Sequence, residues 1–371
     1  MTAEPRPADL AAQPLDRALA LPARYYTDPA VVATDRALIF DRGWQLVAHV
    51  CQLRDAGDHA IAMLGGDTIG GLPVIAVRDA DGTIRVMHNV CRHRAGPLAQ
   101  CDGRGAKSLR CRYHGWTYAL DGRLRAATEM AGAPDFDPAG IRLPQLATRV
   151  WQGMVFAAVD ETLAPPFEAF VAGIDARIGP DRHLETYTHH HRVGYDIDCD
   201  WKVYVDNYLE GYHVPHVHPE LNRLLDYRSY VTETAEWYSF QWSPLESGEG
   251  LYGSGDALYY WMWPNTMLNI LPGRLQTNRV IPKGAGRCRV EFDFYYAPDD
   301  SEAGRARREA DLAFSDVVQD EDIGICVDVQ RGLASGSYEG GRLNPLRENA
   351  VHHFHELLRR AYRQAAVAQG G

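Results

Sequence analysis

Cys91, His93, Cys111 and His114 stand in the pattern Cys-x-His, 17 residues, Cys-x-x-His. Two thiolates on one iron and two imidazoles on the other make the Rieske form of a [2Fe–2S] cluster. Neutral imidazole in place of anionic thiolate lowers the negative charge on the cluster and raises its potential above that of an all-cysteine cluster. The same residue types suit zinc, but zinc fingers usually pair Cys with Cys and His with His, whereas here each Cys has a His beside it. The two halves, CRHRAGPLAQC and CRYHGWTYALDG, read as loops at hairpin tips closing over a cluster. Gly96-Pro97 and Gly115 serve the turns, and Trp116 stands where it would shield the cluster from water.

A second constellation lies in DNYLEGYHVPHVHPEL, residues 206–221, and QDEDIGICVDVQRGL, residues 319–333. His213, His218 and Asp322 offer two imidazoles and one carboxylate. Such a set holds one face of a non-haem Fe(II) and leaves positions open for O2 and a neighbouring substrate. Residues five apart point to different sides of a regular helix, so His213 and His218 can meet only where the helix is broken. Pro215 and Pro219 supply that break. His216, three residues after His213, competes for the second imidazole position. Asp320, Glu321 and Asp328 compete with Asp322, whose helical neighbours Cys326, Val329 and Leu333 mark a buried face.

These residues need elements to hold them. Residues 1–45 read as a Pro/Ala-rich arm and a helix, ATDRALIFDRGW, expected to pack on the catalytic domain. Residues 46–158 are strand-rich: Leu72–Val77 and Thr83–Met87 flank Asp-Ala-Asp-Gly, a hairpin signal, and Val150–Val159 reads as a closing strand. Residues 159–190, with Pro165-Pro166, read as a linker. From 191 to 371 the pattern predicts a strand over Val193–Asp200, a helix over Trp201–His213, three more strands (Tyr259–Asn269, Arg274–Ile281, Arg287–Tyr296), a long helix from Glu302 to Leu333 and a last helix from Glu348 to Ala368. Strands around one long helix imply an α+β helix-grip (START-like) domain with an antiparallel sheet, beside an all-β cluster domain.

At 371 residues the chain is too long for a lone electron carrier. A net charge of −11 argues against nucleic acid and anionic membranes. Five cysteines outside the cluster set (Cys51, Cys101, Cys199, Cys288, Cys326) are scattered, as in reduced cytoplasmic proteins. No basic segment followed by an apolar one opens the chain, so no signal peptide is expected. No apolar run is long enough to span a membrane.

The two motifs together resemble the catalytic α subunit of Rieske non-haem iron oxygenases, over nearly the whole chain. The resemblance implies that Cys91, His93, Cys111 and His114 hold the cluster and that His213, His218 and Asp322 hold the iron, with His218 selected over His216. The absence of a further Cys beside either ligand pair is similar to the oxygenase type of cluster domain. Three residues before the first iron His, the family places an acid that bridges a cluster His of one subunit to an iron His of the next, in a head-to-tail homotrimer. That position is Glu210. Glu in place of the more usual Asp is similar to the branch acting on choline, glycine betaine, carnitine and stachydrine. WPNTMLNILPGRLQTNRVIPKGAGRCRVEFDFYY is similar to the choline monooxygenases of that branch.

The resemblance implies O2-dependent hydroxylation driven by NAD(P)H through a flavin/[2Fe–2S] reductase, and N-demethylation or another C–H monooxygenation of a small quaternary ammonium substrate. Hydroxylation of an aromatic acid ring is the alternative, and a non-enzymatic electron carrier with a ligand-binding domain is the third reading. Tyr204, Tyr208, Tyr212, Tyr259, Tyr260, Trp261 and Trp263 are candidates for a cage that binds a methylammonium group. Asp206 and Asn207, about two turns before His213, are candidates for hydrogen bonds near the iron. His189-His190-His191 reads as a solvated loop entering a strand. His352, His353 and His355 read as packing groups, and Arg92, Arg94 and Arg112 flank the cluster set.

Overall fold

The structure is a computed structural model that describes residues 7–66, 71–225, 227–245 and 251–369. It comprises two compact units. The smaller spans residues 41–164 and 183–186, and the larger takes residues up to 40, 165–182 and 187 onward. The expected linker 159–190 is therefore divided between them, and it carries two short helices, Phe167–Phe170 and Ile174–Ile178.

The smaller unit is built from three antiparallel sheets of three strands each. Leu72–Arg78 pairs with His59–Leu64 on one side and Ile84–His88 on the other. Its alternate residues feed two cores: Ile75 and Val77 pack with Met87, Trp116 and Tyr118, while Val74 and Ala76 pack with Val47, Val86 and Val155. Burial on both faces explains why this strand reads as a continuous apolar run. The turn at Asp79–Gly82 uses the left-handed backbone of Gly82, φ 85°, as the Asp-Gly signal predicts. The expected closing strand over Val150–Val159 is a hairpin, Ala147–Trp151 with Met154–Ala158, turning at Gln152-Gly153. A third sheet of short strands (Leu109–Arg110, Thr117–Tyr118 and Leu124–Ala126) frames the second cysteine loop.

In the larger unit a seven-stranded antiparallel sheet is formed by β1 (Thr188–Ile197), β2 (Val231–Thr234), β3 (Tyr238–Leu245), β4 (Gly255–Met262), β5 (Thr266–Leu271), β6 (Arg274–Pro282) and β7 (Cys288–Tyr296), in the order β1-β7-β6-β5-β4-β3-β2. The principal helices are α1 (Pro29–Leu38), α2 (Trp201–Tyr208), α3 (Val214–Val217), α4 (Glu302–Ala334) and α5 (Asn349–Gln369). His189–His191 lie within β1 rather than on a loop, and all three are exposed. The N-terminal helix belongs to this unit: Asp28 caps α1, and buried Asp35 accepts hydrogen bonds from Trp201, Lys202 and Tyr362.

The 33-residue α4 presents a buried stripe of Asp311, Ser315, Gln319, Cys326, Gln330 and Leu333, at the spacing of one helix face. Three polar members of the stripe have partners on the strands or at α2 and its N-cap. Asp311 accepts from Arg274 at 2.6 Å, Gln319 from the Tyr204 hydroxyl at 2.7 Å, and Gln330 from the Asp200 amide at 2.9 Å. Unpaired, such groups would cost stability, and paired they fix the helix in register against the sheet. Val329, expected on this face, is instead 45 % exposed.

Candidate metal sites and the cavity beside them

Helix α2 ends at Tyr208, five residues short of the expected His213. At Gly211 an added Cβ would lie 2.8 Å from the Tyr230 ring, so the chain bends where only glycine fits. The short helix α3 then turns on Pro215 and stops at His218, whose φ of −118° and ψ of 79° leave the helical region. This break lets residues five apart face one point. The Nε2 atoms of His213 and His218 are 3.2 Å apart, and Asp322 Oδ1 lies 3.1 Å from His218 Nε2 and 3.7 Å from His213 Nε2. Donors at right angles about a metal roughly 2.1 Å away would lie about 3 Å apart, so the three groups fit one ion with its other face open. His216 is exposed and outside the group.

Each imidazole is oriented from behind. His213 Nδ1–H donates to Glu210 Oε1 at 2.7 Å, and the His213 amide donates to Glu210 Oε2 at 3.0 Å. His218 Nδ1–H donates to Glu321 Oε2 at 2.7 Å. Both rings thus carry the proton on Nδ1 and present Nε2. Burial works to lower the His218 pKa, but the hydrogen bonds and charges of Asp322 and Glu321 hold it above its ordinary value. Asn207 Nδ2 donates to Asp322 Oδ1 at 2.6 Å. Asp206 is not part of this group. Its carboxylate accepts from the Tyr26 hydroxyl at 2.8 Å and faces His355 Nε2 at 2.9 Å.

The cysteine loops fit a [2Fe–2S] group. Cys91 and Cys111 are buried and free of disulfides, and His93 Nδ1 is a buried nitrogen with no hydrogen-bond partner. A Cβ on Gly96 would sit 2.9 Å from Cys111 Sγ, so the loop leaves room there. Hydrogen bonds donated by the Cys91 amide to Gly96 O and by the Cys111 amide to Trp116 O fold each loop back on itself. Trp116 stacks on the His93 ring, with centroids 4.8 Å apart and planes 10° apart. The Tyr118 hydroxyl lies 3.3 Å from Cys91 Sγ and accepts the Arg92 amide. Burial, then the hydrogen bond to Cys91, raises the Tyr118 pKa, so the phenol stays protonated and donates to the sulfur.

A cavity runs beside the histidines, between α2, the sheet and α4. Its aromatic lining is Tyr204, Tyr208, Tyr230, Tyr252, Tyr259 and two phenylalanines. Of the seven aromatics expected to form a cage, three are here. Trp261, Trp263 and Tyr260 are buried in the fold away from this cavity and Tyr212 is exposed. Tyr230 and Tyr252 could not be found from sequence, since they come from irregular segments without periodicity. Burial holds the pKa of Tyr204, Tyr208 and Tyr230 well above the ordinary phenol range, so these rings are neutral. Asn278 Oδ1 and Gln319 Nε2 line the cavity and are buried without a partner. Among the described lining residues the only carboxylates are Glu210 and Asp322. A second cavity, lined by Tyr26, Asp206, Tyr338 and Glu348, shares Asn207, Glu210 and His213 with the first.

Residues 43–138 match the family described as Rieske [2Fe-2S] domain, and residues 184–364 match Ring hydroxylating alpha subunit (catalytic domain). The chain is 37 % identical over 364 residues to the chloroplastic choline monooxygenase of Arabidopsis thaliana, covering 93 % of this chain and 83 % of that protein. It is 29 % identical to the carnitine monooxygenase oxygenase subunit of Escherichia coli K12, covering 96 % and 97 %. The solved structure of the quaternary ammonium Rieske monooxygenase CntA in complex with L-carnitine is similar with a TM-score of 0.83 and 25 % identity, over 95 % of this chain and 99 % of that one.

Proposed function

The chain belongs to the Rieske non-haem iron oxygenases as a catalytic α subunit, and on that footing we propose that it oxidises a small quaternary ammonium compound, by N-demethylation or hydroxylation of a neighbouring carbon. The observation that carries this reading is the tyrosine-lined cavity beside the histidines. Both of its described carboxylates are engaged, Glu210 on His213 and Asp322 with the histidines. A cation there must therefore be met by aromatic faces, which attract methylammonium groups through the ring quadrupole. The unpartnered Asn278 Oδ1 and Gln319 Nε2 suit a polar ligand and gain nothing from an aromatic hydrocarbon.

We assign Cys91 and Cys111 to one iron of the cluster, His93 and His114 to the other, and His213, His218 and Asp322 to the mononuclear iron. The metals supply electron transfer and O2 activation, which is chemistry no side chain performs. Glu210 and Glu321 hold the imidazoles in the tautomer that offers Nε2, and Asn207 steadies the Asp322 carboxylate. Glu210 also reaches the second cavity, as suits the acid linking a partner subunit's cluster to this iron in a homotrimer. Asp206 would act through His355 and Tyr26, away from the metal. Electrons would come from NAD(P)H through a flavin/[2Fe–2S] reductase. A cytoplasmic location is our reading from the unpaired cysteines; no helix of the described residues is long and apolar enough to cross a membrane.

The test uses iron-loaded protein with a surrogate reductase and NADH. O2 uptake, formaldehyde and oxidised products are followed across trimethylammonium compounds and aromatic acids. Product formation from the ammonium compounds, matched to O2 uptake, is expected. Coupled uptake confined to the aromatic acids would overturn the reading.

A further inference from the structure

We infer that the end of the cavity remote from the metal is a carboxylate-binding subsite built on Arg274, and that the substrate is a zwitterion with a trimethylammonium group at one end and a carboxylate at the other. This deepens the quaternary ammonium reading and rests on it.

The cavity's long axis is set by α4 and β6. Asp322 and Asp311 lie on α4 eleven residues apart, about 16 Å along the axis and on the same face after three turns. Opposite them, Asn278, Gln276 and Arg274 follow one face of β6, alternate residues of a strand pointing the same way. Asp311 is bonded to Arg274, so the guanidinium marks the end of the cavity farthest from Asp322. Arg274 is 5 % exposed, and it lines both this cavity and a neighbouring recess.

A buried arginine facing a cavity is uncommitted only if donors remain. Nε donates to Asp311 and Nη2 to Gln276 Oε1 at 2.6 Å, from a group with five N–H donors. The Asp311 charge is shared by three donors, since Tyr252 and Tyr296 also bond it, at 2.6 Å and 2.5 Å. The recess behind adds Arg307 and Arg308 and, among the described residues, one further carboxylate, Asp299. Arg308 spends its guanidinium on a backbone carbonyl and the Tyr296 ring. Among the described residues this end thus carries three guanidiniums and two carboxylates. The planar fork of arginine matches a carboxylate, whereas an alcohol fills only part of it. An ammonium among the tyrosines near the histidines would lie at the opposite pole from this cation, and a chain of a few carbons would join the two.

The decisive comparison is among three ligands of equal length: 4-(trimethylammonio)butanoate, its carboxamide, and (4-hydroxybutyl)trimethylammonium. Each is turned over by the reductase-coupled holoenzyme, with kcat/KM from product formation. The carboxylate is expected to lead both neutral analogues by about tenfold or more, as a charge-assisted hydrogen bond allows. In Arg274→Met/Asp311→Asn, which leaves no buried charge unpaired, that ratio is expected to fall toward one. A purely structural Arg274 would lower all three together and keep the ratio. Equal turnover of the three ligands by the unaltered enzyme, or a ratio kept in the double variant, would overturn the subsite while leaving the ammonium reading standing. Should the double variant not fold, the unaltered enzyme's ratio decides. Oxidation of none of the three would remove the ammonium reading itself.

Discussion

Glu321 and Asp322, consecutive on α4, clasp the His218 ring from both sides: Glu321 Oε2 lies 2.7 Å from Nδ1 and Asp322 Oδ1 3.1 Å from Nε2. One carboxylate fixes the tautomer while the other would share the proposed metal with this ring. Glu321→Ala should weaken iron binding by about 10–100-fold and leave the cluster spectrum unchanged. Iron titration of the apoprotein reads this directly. Unchanged affinity would mean that the acid does not orient the ring.

Asp322→Ala should empty the iron site and spare the cluster, as metal analysis beside the visible spectrum would show. Iron that stays bound would point to another carboxylate on the same helix.

Glu210→Gln should retain both metals yet slow turnover by more than about tenfold. The amide can still hold His213 but cannot carry the charge of the acid. Loss of either metal would show a structural rather than a linking role.

Tyr118→Phe removes the hydrogen bond to Cys91 Sγ. Bonds to cluster sulfurs stabilise the reduced, more negative state, so the potential should move negative with the metal content intact. A redox titration followed by EPR is the measurement.

Asp293 in β7 is 2 % exposed. Burial alone would raise its pKa, but the His189 hydrogen bond and the Arg192 and Arg279 charges bring it from 3.8 to about 2. A carboxylate with a depressed folded pKa contributes stability that is complete above about pH 4 and lost as pH falls toward 2. The shift corresponds to about 2 kcal/mol. Asp293→Asn should lose at least that much at neutral pH and show a flatter acid limb in denaturant unfolding at stepped pH.

Both candidate metal sets stood out in the sequence by residue type and spacing, but the choice of His218 over His216 came from the family resemblance. The prolines explain how His213 and His218 can face one point, but they do not by themselves exclude His216. Glu321 was weighed as a rival ligand and is instead the acid behind His218, a distinction that needs the direction of a side chain. Asp206 and Asn207 are neighbours in sequence, but helix geometry turns Asn207 toward Asp322 and Asp206 toward Tyr26. The cage was partly legible. Tyr204, Tyr208 and Tyr259 line the cavity, whereas Tyr260, the next residue of the same strand, points to the opposite face, for a strand of aromatics reads alike on both faces. Arg274 carried no signal, since its meaning comes only from Asp311, 37 residues later.

Helix α4 acts as a ruler. Because Asp311, Gln319, Glu321 and Asp322 are graduations on one rod, the gap between the metal end and the arginine end is set by backbone rise, about 1.5 Å per residue with a rotation of about 100°. Sliding the arginine's partner by one or two positions would swing it off the cavity face; only a shift of about a whole turn returns it, some 5 Å away. The length of molecule this cavity accepts can therefore change only in coarse steps, which would make selectivity for chain length harder to erode by single substitutions than selectivity for the groups at either end.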